Sequence, residues 1–317
     1  MESREAPQSG VPLHAAAEYP GAGTKAIPDI DTHRETLARD GVVCIRGGFD
    51  AAEMGRVDDA FEWTMAHPGP GASKRYTDEP GTFYETTGHS WDEPPYRAIF
   101  AHTRVGELVA GLYGGRRAWY LGEQLFFKQG DSVRRTPWHQ DLSYLNFRGD
   151  SVIGIWISLG DLPKAACLEF VRGSHRGPLY NGASYIDPAD DTHPLYPDTT
   201  MPRLPAVDRE RDRWDILSWD LARGDLLVFH LGTLHGGGGT VPGVTRRSLT
   251  LRFFSDDAVW SEPLPAPDPE AFSARRNKAW AESGKRVALP AVVPGEPMHR
   301  SGRFRELLAR GEHVSGT

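Results

Sequence analysis

Short apolar or alternating runs, each ended by turn residues, constrain the fold of this chain more than any other feature of its sequence. They lie at residues 119–128, 152–159, 168–171, 226–229 and 249–254. Proline, glycine, aspartate and asparagine separate them, and 35 glycines and 25 prolines in 317 residues exceed ordinary usage. Because side chains alternate between the two faces of a strand, such runs predict an antiparallel β sandwich or barrel.

The N-terminal third has a different pattern, because several of its apolar residues recur at helical spacing. We expect a short polar helix at residues 31–40, ended by Gly41, and then a buried strand at 42–45. Residues 51–66 form an amphipathic pattern, and a further short helix fits residues 105–112. The sequence therefore predicts a mainly β protein with flanking helices.

The chain divides into three parts. Residues 1–27 are small, polar and without periodicity, which predicts a mobile N-terminal arm. Residues 28–260 form the main domain, and the long polar stretch 177–213 inside it is expected to be a lid or binding loop. Residues 261–317 form a C-terminal extension that is Pro-rich and then helical in character around residues 269–282.

Composition excludes several classes of protein. The net charge of −7 and the absence of a basic stripe argue against a nucleic-acid partner. No apolar run reaches the roughly 18 residues of a membrane span, and the N-terminus lacks a secretory signal pattern. Only Cys44 and Cys167 are present, as expected for buried reduced thiols. We therefore expect a cytoplasmic protein with a small-molecule substrate; the sequence leaves its oligomeric state open.

Three residues have the chemistry of a metal site. His139 and Asp141 are two residues apart, and on a strand this spacing directs both side chains to one face. His235 follows an apolar strand and precedes four glycines, where the backbone can approach a site closely. His230, in the same run, fits a packed histidine better than a ligand. Two histidines and one carboxylate form the facial triad of non-haem Fe(II) oxygenases, although zinc also accepts these ligands.

A candidate anion-binding residue follows this pattern. Arg246 comes 11 residues after His235, so one hairpin could return it to the metal. The planar guanidinium suits the distal carboxylate of a dicarboxylic co-substrate. The alternatives are Arg247, its neighbour, or a solvated arginine pair without a ligand.

Five motifs, in this order, resemble one family. The segments are TPWHQDLSY, LEFVRGSHRGP, ILSWDLARGDLLVFH, TLHGGGG and RRSLTLRFFSDD. Together they resemble the phytanoyl-CoA dioxygenase family of Fe(II)/2-oxoglutarate oxygenases, over roughly residues 35–260. The resemblance implies a double-stranded β-helix (a cupin-type jelly roll) with flanking helices.

The resemblance also implies roles for individual residues. It makes His139, Asp141 and His235 the iron ligands and Arg246 the partner of the 2-oxoglutarate C5 carboxylate. It places Gln124, with Lys128 further along the same face, and the strand residue Trp156 beside the co-substrate. His175 lies in a Gly-Ser-His turn that we interpret as structural.

The implied activity is a dioxygenase reaction with Fe(II), 2-oxoglutarate and O₂. It hydroxylates an unactivated C–H bond of a small organic molecule, such as a natural-product intermediate, and releases succinate and CO₂. Asp141 occupies the position that halogenating relatives leave open, which favours hydroxylation, or a desaturating or ring-forming variant, over halogenation. A coenzyme A substrate would favour a basic patch, for which only Arg134 and Arg135 are candidates. The competing hypotheses are a metal-binding cupin without turnover and a zinc-dependent hydrolase.

Overall fold

The structure is a computed structural model that describes residues 27–75, 81–131, 133–184, 189–268 and 292–307. The predicted N-terminal arm, apart from residue 27, and the predicted helix near residue 275 lie outside these ranges. Within them, no helix combines the length and the apolar character needed to cross a membrane.

Four α-helices precede most of the sheet. They are α1 (Ile30–Asp40), α2 (Ala51–Ala66), α3 (Pro94–His102) and α4 (Val105–Leu112). Three of them match the predicted helices, whereas α3 was not predicted.

Fourteen strands are formed by the described residues. They are β1 (Val42–Ile45), β2 (Ser73–Arg75), β3 (Thr82–Thr87), β4 (Ala118–Gln129), β5 (Thr136–His139), β6 (Phe147–Arg148), β7 (Val152–Ser158), β8 (Leu168–Val171), β9 (Ile216–Leu217), β10 (Leu226–His230), β11 (His235–Gly237), β12 (Arg246–Ser255), β13 (Val259–Trp260) and β14 (Arg305–Leu307).

The strands form two main antiparallel sheets. The larger has the order β1-β10-β7-β12-β4-β3-β2, with β14 also paired to β4, and the smaller has the order β5-β11-β8-β9. Strands β13 and β6 form a separate pair. This arrangement, with helices on one side, confirms the predicted mainly β jelly roll.

Five strands of the larger sheet, β1, β10, β7, β12 and β4, contribute to two apolar layers. In β7 all seven residues are buried. Ile153, Ile155 and Ile157 pack with the helices, whereas Trp156 belongs to the layer between the sheets. Because side chains alternate along each strand, the larger sheet contributes residues to both layers. It therefore lies between the helices and the smaller sheet.

Helix α2 is held against the larger sheet by its cap and its apolar face. The Asp50 carboxylate accepts hydrogen bonds from the backbone N–H groups of Ala52 and Glu53, each at 3.0 Å. The Glu53 side chain accepts from the Asp50 N–H at 2.8 Å, which completes a capping box. Val57 and Phe61 are buried against the sheet.

Two later segments of the chain, the insertion and the C-terminal extension, contact the core of the fold. In the predicted insertion, the described residues 177–184 and 189–213 are largely irregular, and the Ala183 N–H donates to the Tyr144 hydroxyl at 3.0 Å. The described end of the C-terminal extension returns as β14 and pairs with β4. The lid role of the insertion remains a prediction.

Candidate metal and co-substrate site

The three candidate metal ligands meet at the end of the smaller sheet. His139 and His235 are direct register partners on β5 and β11, and their ring centroids are 4.3 Å apart. Strand β5 ends at His139, and Asp141 begins a 3₁₀ turn. Gln140 between them is still extended, so both side chains reach the same side. One potential ligand atom from each residue lies within 4.8 Å of the other two.

Backbone hydrogen bonds determine which imidazole nitrogens are available. Nδ1 of His139 lies 2.9 Å from the Pro137 carbonyl oxygen, and Nδ1 of His235 lies 2.9 Å from that of Thr233. A carbonyl oxygen only accepts, so each Nδ1–H donates and each Nε2 keeps a free lone pair. Burial and the adjacent His139 lower the pKa of His235 to about 3, which keeps this ring neutral and able to bind a metal.

Asp141 is paired with an arginine that the sequence analysis did not identify. Burial by itself would raise the pKa of Asp141, but the Arg252 guanidinium and the neighbouring imidazoles outweigh it and hold the pKa well below its usual range. Nε of Arg252 donates to Asp141 Oδ2 at 2.8 Å. The other oxygen, Oδ1, lies 3.5 Å from His139 Nε2. The pairing leaves Oδ1 on the side of the imidazoles.

Arg252 connects the cluster to a chain of polar side chains. Its Nη2 donates to Gln124 Oε1 at 2.8 Å, and Gln124 Nε2 donates to Glu85 at 3.3 Å. Glu85 in turn pairs with Arg75 at 2.7 Å. Arg252 follows Arg246 by six residues on β12, so both side chains lie on the same face of the strand. This alternation could have identified Arg252 as a site residue from the sequence.

Replacing Arg252 by methionine is expected to destabilise the metal-free protein by about 3 kcal/mol, because it leaves the buried Asp141 carboxylate uncompensated. Because Arg252 also orients the Asp141 carboxylate, its loss should weaken metal affinity about 10- to 100-fold, so the metal-induced rise in Tm should be smaller than in the wild type. The wild-type pairing stabilises the fold above about pH 4 and is lost as Asp141 becomes protonated at lower pH. The difference between the two proteins should therefore shrink on acidification.

Urea unfolding at pH 7 and pH 3.5, with and without Mn(II), measures this effect. Arg247→Met is the matched control, since Arg247 is exposed and its ion pair with Glu62 contributes little. A loss below 1 kcal/mol for Arg252→Met, or an equal loss for the control, contradicts the role given to this pair.

Arg246 is a buried cation without a carboxylate partner in the described residues. Its Nη1 donates to the carbonyl oxygens of Ala166 and Gly238, both at 3.0 Å, while its Nε makes no hydrogen bond. The Ser248 hydroxyl on the same strand is also buried and unpaired. Burial lowers the pKa of Arg246 to about 10, so it stays charged at neutral pH. Such a group fits an anionic ligand.

A second buried basic side chain lies beside Arg246. Lys128 is its register partner on β4 and is completely buried. Its Nζ donates to the Arg134 carbonyl oxygen at 2.9 Å and to the Thr136 hydroxyl at 3.1 Å. Burial and the nearby Arg246 lower the pKa of Lys128 well below its usual value.

One cavity of about 660 Å³ joins the cluster to Arg246. Of the sequence-predicted site residues, it is lined by His139, Asp141, His235, Arg246, Gln124 and Trp156. Arg247, the alternative to Arg246, is exposed and pairs with Glu62 on α2 at 3.1 Å. The structure therefore places Arg246, and not its neighbour, in the cavity.

The remaining candidates lie elsewhere. His175 and His230 pack against each other, with ring centroids 5.2 Å apart, and neither lines the cavity. Arg135 forms ion pairs with Glu169 and Asp208, at 2.8 and 2.6 Å. This pairing satisfies the charge that a coenzyme A phosphate would need.

The fold and this site define a class of protein. A jelly roll that places two histidines and a carboxylate beside a buried, unpaired arginine is that of a non-haem iron- and 2-oxoglutarate-dependent oxygenase. The donor set suits Fe(II), and the unpaired guanidinium suits a dicarboxylate co-substrate.

Comparison with known proteins gives the family. The phytanoyl-CoA dioxygenase family model matches residues 37–248, and the chain belongs to this family. A probable phytanoyl-CoA dioxygenase of Caenorhabditis elegans is 24% identical over 180 residues, which are 52% of this chain and 53% of the relative. The match thus spans about half the length of that protein.

Solved structures share the fold. The epimerase SnoN, in complex with Fe³⁺, α-ketoglutarate and nogalamycin RO, is 20% identical with a TM-score of 0.63, covering 88% of this chain and 98% of SnoN. The α-ketoglutarate-dependent carbocyclase SnoK from nogalamycin biosynthesis is 15% identical with a TM-score of 0.60, covering 90% of this chain and all of SnoK. EctD from S. alaskensis is 16% identical with a TM-score of 0.57, covering 81% and 88%.

Proposed function

We propose that this protein hydroxylates an unactivated C–H bond of a small organic molecule, coupled to oxidation of 2-oxoglutarate. In the balanced reaction, O₂ supplies one oxygen atom to the new hydroxyl group and one to succinate, and CO₂ leaves. The observation that carries this proposal is the joint location of the His139, Asp141 and His235 cluster and the unpaired Arg246 guanidinium in one cavity.

One group of residues binds the metal, and the protein orients these ligands. His139 Nε2, His235 Nε2 and Asp141 Oδ1 hold the iron, which supplies O₂ activation when bound. The protein contributes the orientation: two backbone carbonyls direct the imidazoles, and Arg252 directs the carboxylate.

Arg246 binds the distal carboxylate of 2-oxoglutarate. Its free Nε–H and the Ser248 hydroxyl are the donors that the fold leaves unused. Lys128 lies opposite Arg246 on the neighbouring strand. Trp156 and Gln124 form part of the surrounding wall, which keeps the co-substrate out of bulk water.

The substrate is a natural-product intermediate in this proposal. Support comes from SnoN and SnoK, whose descriptions place them in nogalamycin biosynthesis. The pairing of Arg135 with two carboxylates counts against a coenzyme A thioester. Asp141 fills the carboxylate position of the metal site, which favours hydroxylation over halogenation.

An anaerobic titration tests the assignment. Fe(II) is added to the metal-free protein, followed by 2-oxoglutarate, and the visible spectrum is recorded for the charge-transfer band of a chelated keto acid. We expect the band, and succinate formation once O₂ is admitted. Iron binding without a band contradicts the proposal and favours a binding cupin. Zinc-dependent ester hydrolysis without use of 2-oxoglutarate favours the hydrolase.

A further inference from the structure

The wall of the cavity includes a segment outside the residues matched by the family. Residues 292–307 follow the matched range 37–248, yet Met298, Arg303 and Phe304 line the same cavity as the metal cluster. The segment therefore lies outside the part of the chain that the family match covers, and it contributes to the cavity beside the metal cluster.

Backbone hydrogen bonds hold this segment in place. The Met298 N–H donates to the Ala258 carbonyl oxygen, and the Trp260 N–H donates to that of Glu296, both at 2.9 Å. Strand β14, which follows directly, pairs with β4. The segment is therefore a fixed wall of the cavity and can position a ligand.

Most of the surface around this segment is apolar. Met298 is fully buried, and Trp260 is nearly so. The Phe304 ring packs edge-on against the Phe254 ring, with ring centroids 4.9 Å apart, and its centroid lies 6.2 Å from that of the Trp260 ring. Leu121 and Leu145 also line the cavity, which is shaped here for an apolar body.

Arg303 is the exception in this apolar wall. Two other arginines that line the cavity have carboxylate partners: Arg75 pairs with Glu85, and Arg252 pairs with Asp141. Arg246 is assigned to the co-substrate. Arg303 forms no ion pair with any described residue, and its Nη1 is buried without a hydrogen bond. A guanidinium N–H shielded from water without an acceptor is costly, and a bound anion removes that cost.

We infer that Arg303 binds a carboxylate group of the substrate, whose apolar body packs on Trp260 and Phe304. The substrate is thus a small, largely apolar carboxylic acid. One guanidinium matches the single charge and the two oxygens of a carboxylate, whereas a phosphate dianion calls for more than one cation. This inference rests on the proposed function, because it assigns the substrate of that same site.

Paired ligands that differ only in charge test the inference. The protein is loaded anaerobically with Fe(II) and saturating 2-oxoglutarate, so that Arg246 is occupied. It is then titrated by calorimetry with 2-naphthoate and 2-naphthamide, and with nonanoate and nonanamide. We expect each carboxylate to bind about tenfold more tightly than its amide.

Variants test whether Arg303 causes the preference for carboxylates over amides. Arg303→Gln should reduce the ratio of carboxylate affinity to amide affinity to less than about twofold. Arg303→Lys should retain part of this ratio because the charge remains. Arg300→Gln is the matched control, since Arg300 lies in the same segment but is exposed and does not line the cavity. It should keep the wild-type ratio.

The outcomes separate this inference from the proposed function. If the wild type shows the 2-oxoglutarate band but binds neither carboxylate, or binds acids and amides equally, the inference is wrong and the proposed function stands. Loss of 2-oxoglutarate binding in Arg303→Gln also overturns it, since Arg303 would then serve the co-substrate. Absence of the band in the wild type contradicts the proposed function itself.

Discussion

Replacement of His139 by alanine is expected to abolish iron binding and turnover while leaving the fold intact. The imidazole supplies one of three ligand atoms that lie within 4.8 Å of one another. Loss of a residue that merely orients a ligand typically weakens metal affinity 10- to 100-fold, so loss of a ligand should exceed about 100-fold. The side chain lies at the cavity wall, 13% exposed, so its removal disturbs little packing.

Metal titration and circular dichroism check this result together. His230→Gln is the matched control: that histidine is buried outside the cluster, and burial lowers its pKa to about 4, so a neutral polar side chain replaces it well. The control should bind iron within about twofold of the wild type. Full iron affinity in His139→Ala would contradict the assignment of this cluster as the iron site.

Replacement of Arg246 by alanine is expected to weaken 2-oxoglutarate binding by about 100-fold or more, with iron affinity little changed. The guanidinium is buried, and truncating one partner of a buried charge pair typically costs about 2–5 kcal/mol. The 2-oxoglutarate affinity of Arg246→Lys should lie between those of the wild type and Arg246→Ala, because lysine keeps the charge but lacks the planar guanidinium.

The charge-transfer band, titrated with 2-oxoglutarate at saturating Fe(II), gives the dissociation constants. Arg247→Ala is the control, because that side chain is exposed and pairs with Glu62. It should bind 2-oxoglutarate like the wild type. A larger loss in Arg247→Ala than in Arg246→Ala would contradict the register of β12 and the co-substrate assignment together.

Much of the central fold could be predicted from the sequence. Strands β1 and β8 and helices α2 and α4 have the predicted bounds. These elements are apolar or amphipathic, and turn residues or capping residues end them. Their own side chains therefore carry the signal, and tertiary context only reinforces it.

Other elements carry no such signal. Strand β2 is Ser-Lys-Arg and β14 is Arg-Glu-Leu, three residues each, too short and polar for any periodicity. They are strands because neighbouring strands offer unpaired backbone groups, to which any extended segment can bond. The return of residues 292–307 to the cavity depends on the same kind of long-range pairing.

The sequence by itself determined the chemistry of the site: two histidines, a carboxylate and an arginine at motif spacing. Strand alternation also shows that Arg246 and Arg247 face opposite ways. Only the tertiary structure decided which of them faces the cavity, and that Arg252 pairs with Asp141, 111 residues away. The physical reason is that local backbone geometry fixes the relative direction of neighbouring side chains, whereas the interior face and the distant partners depend on how sheets and helices pack.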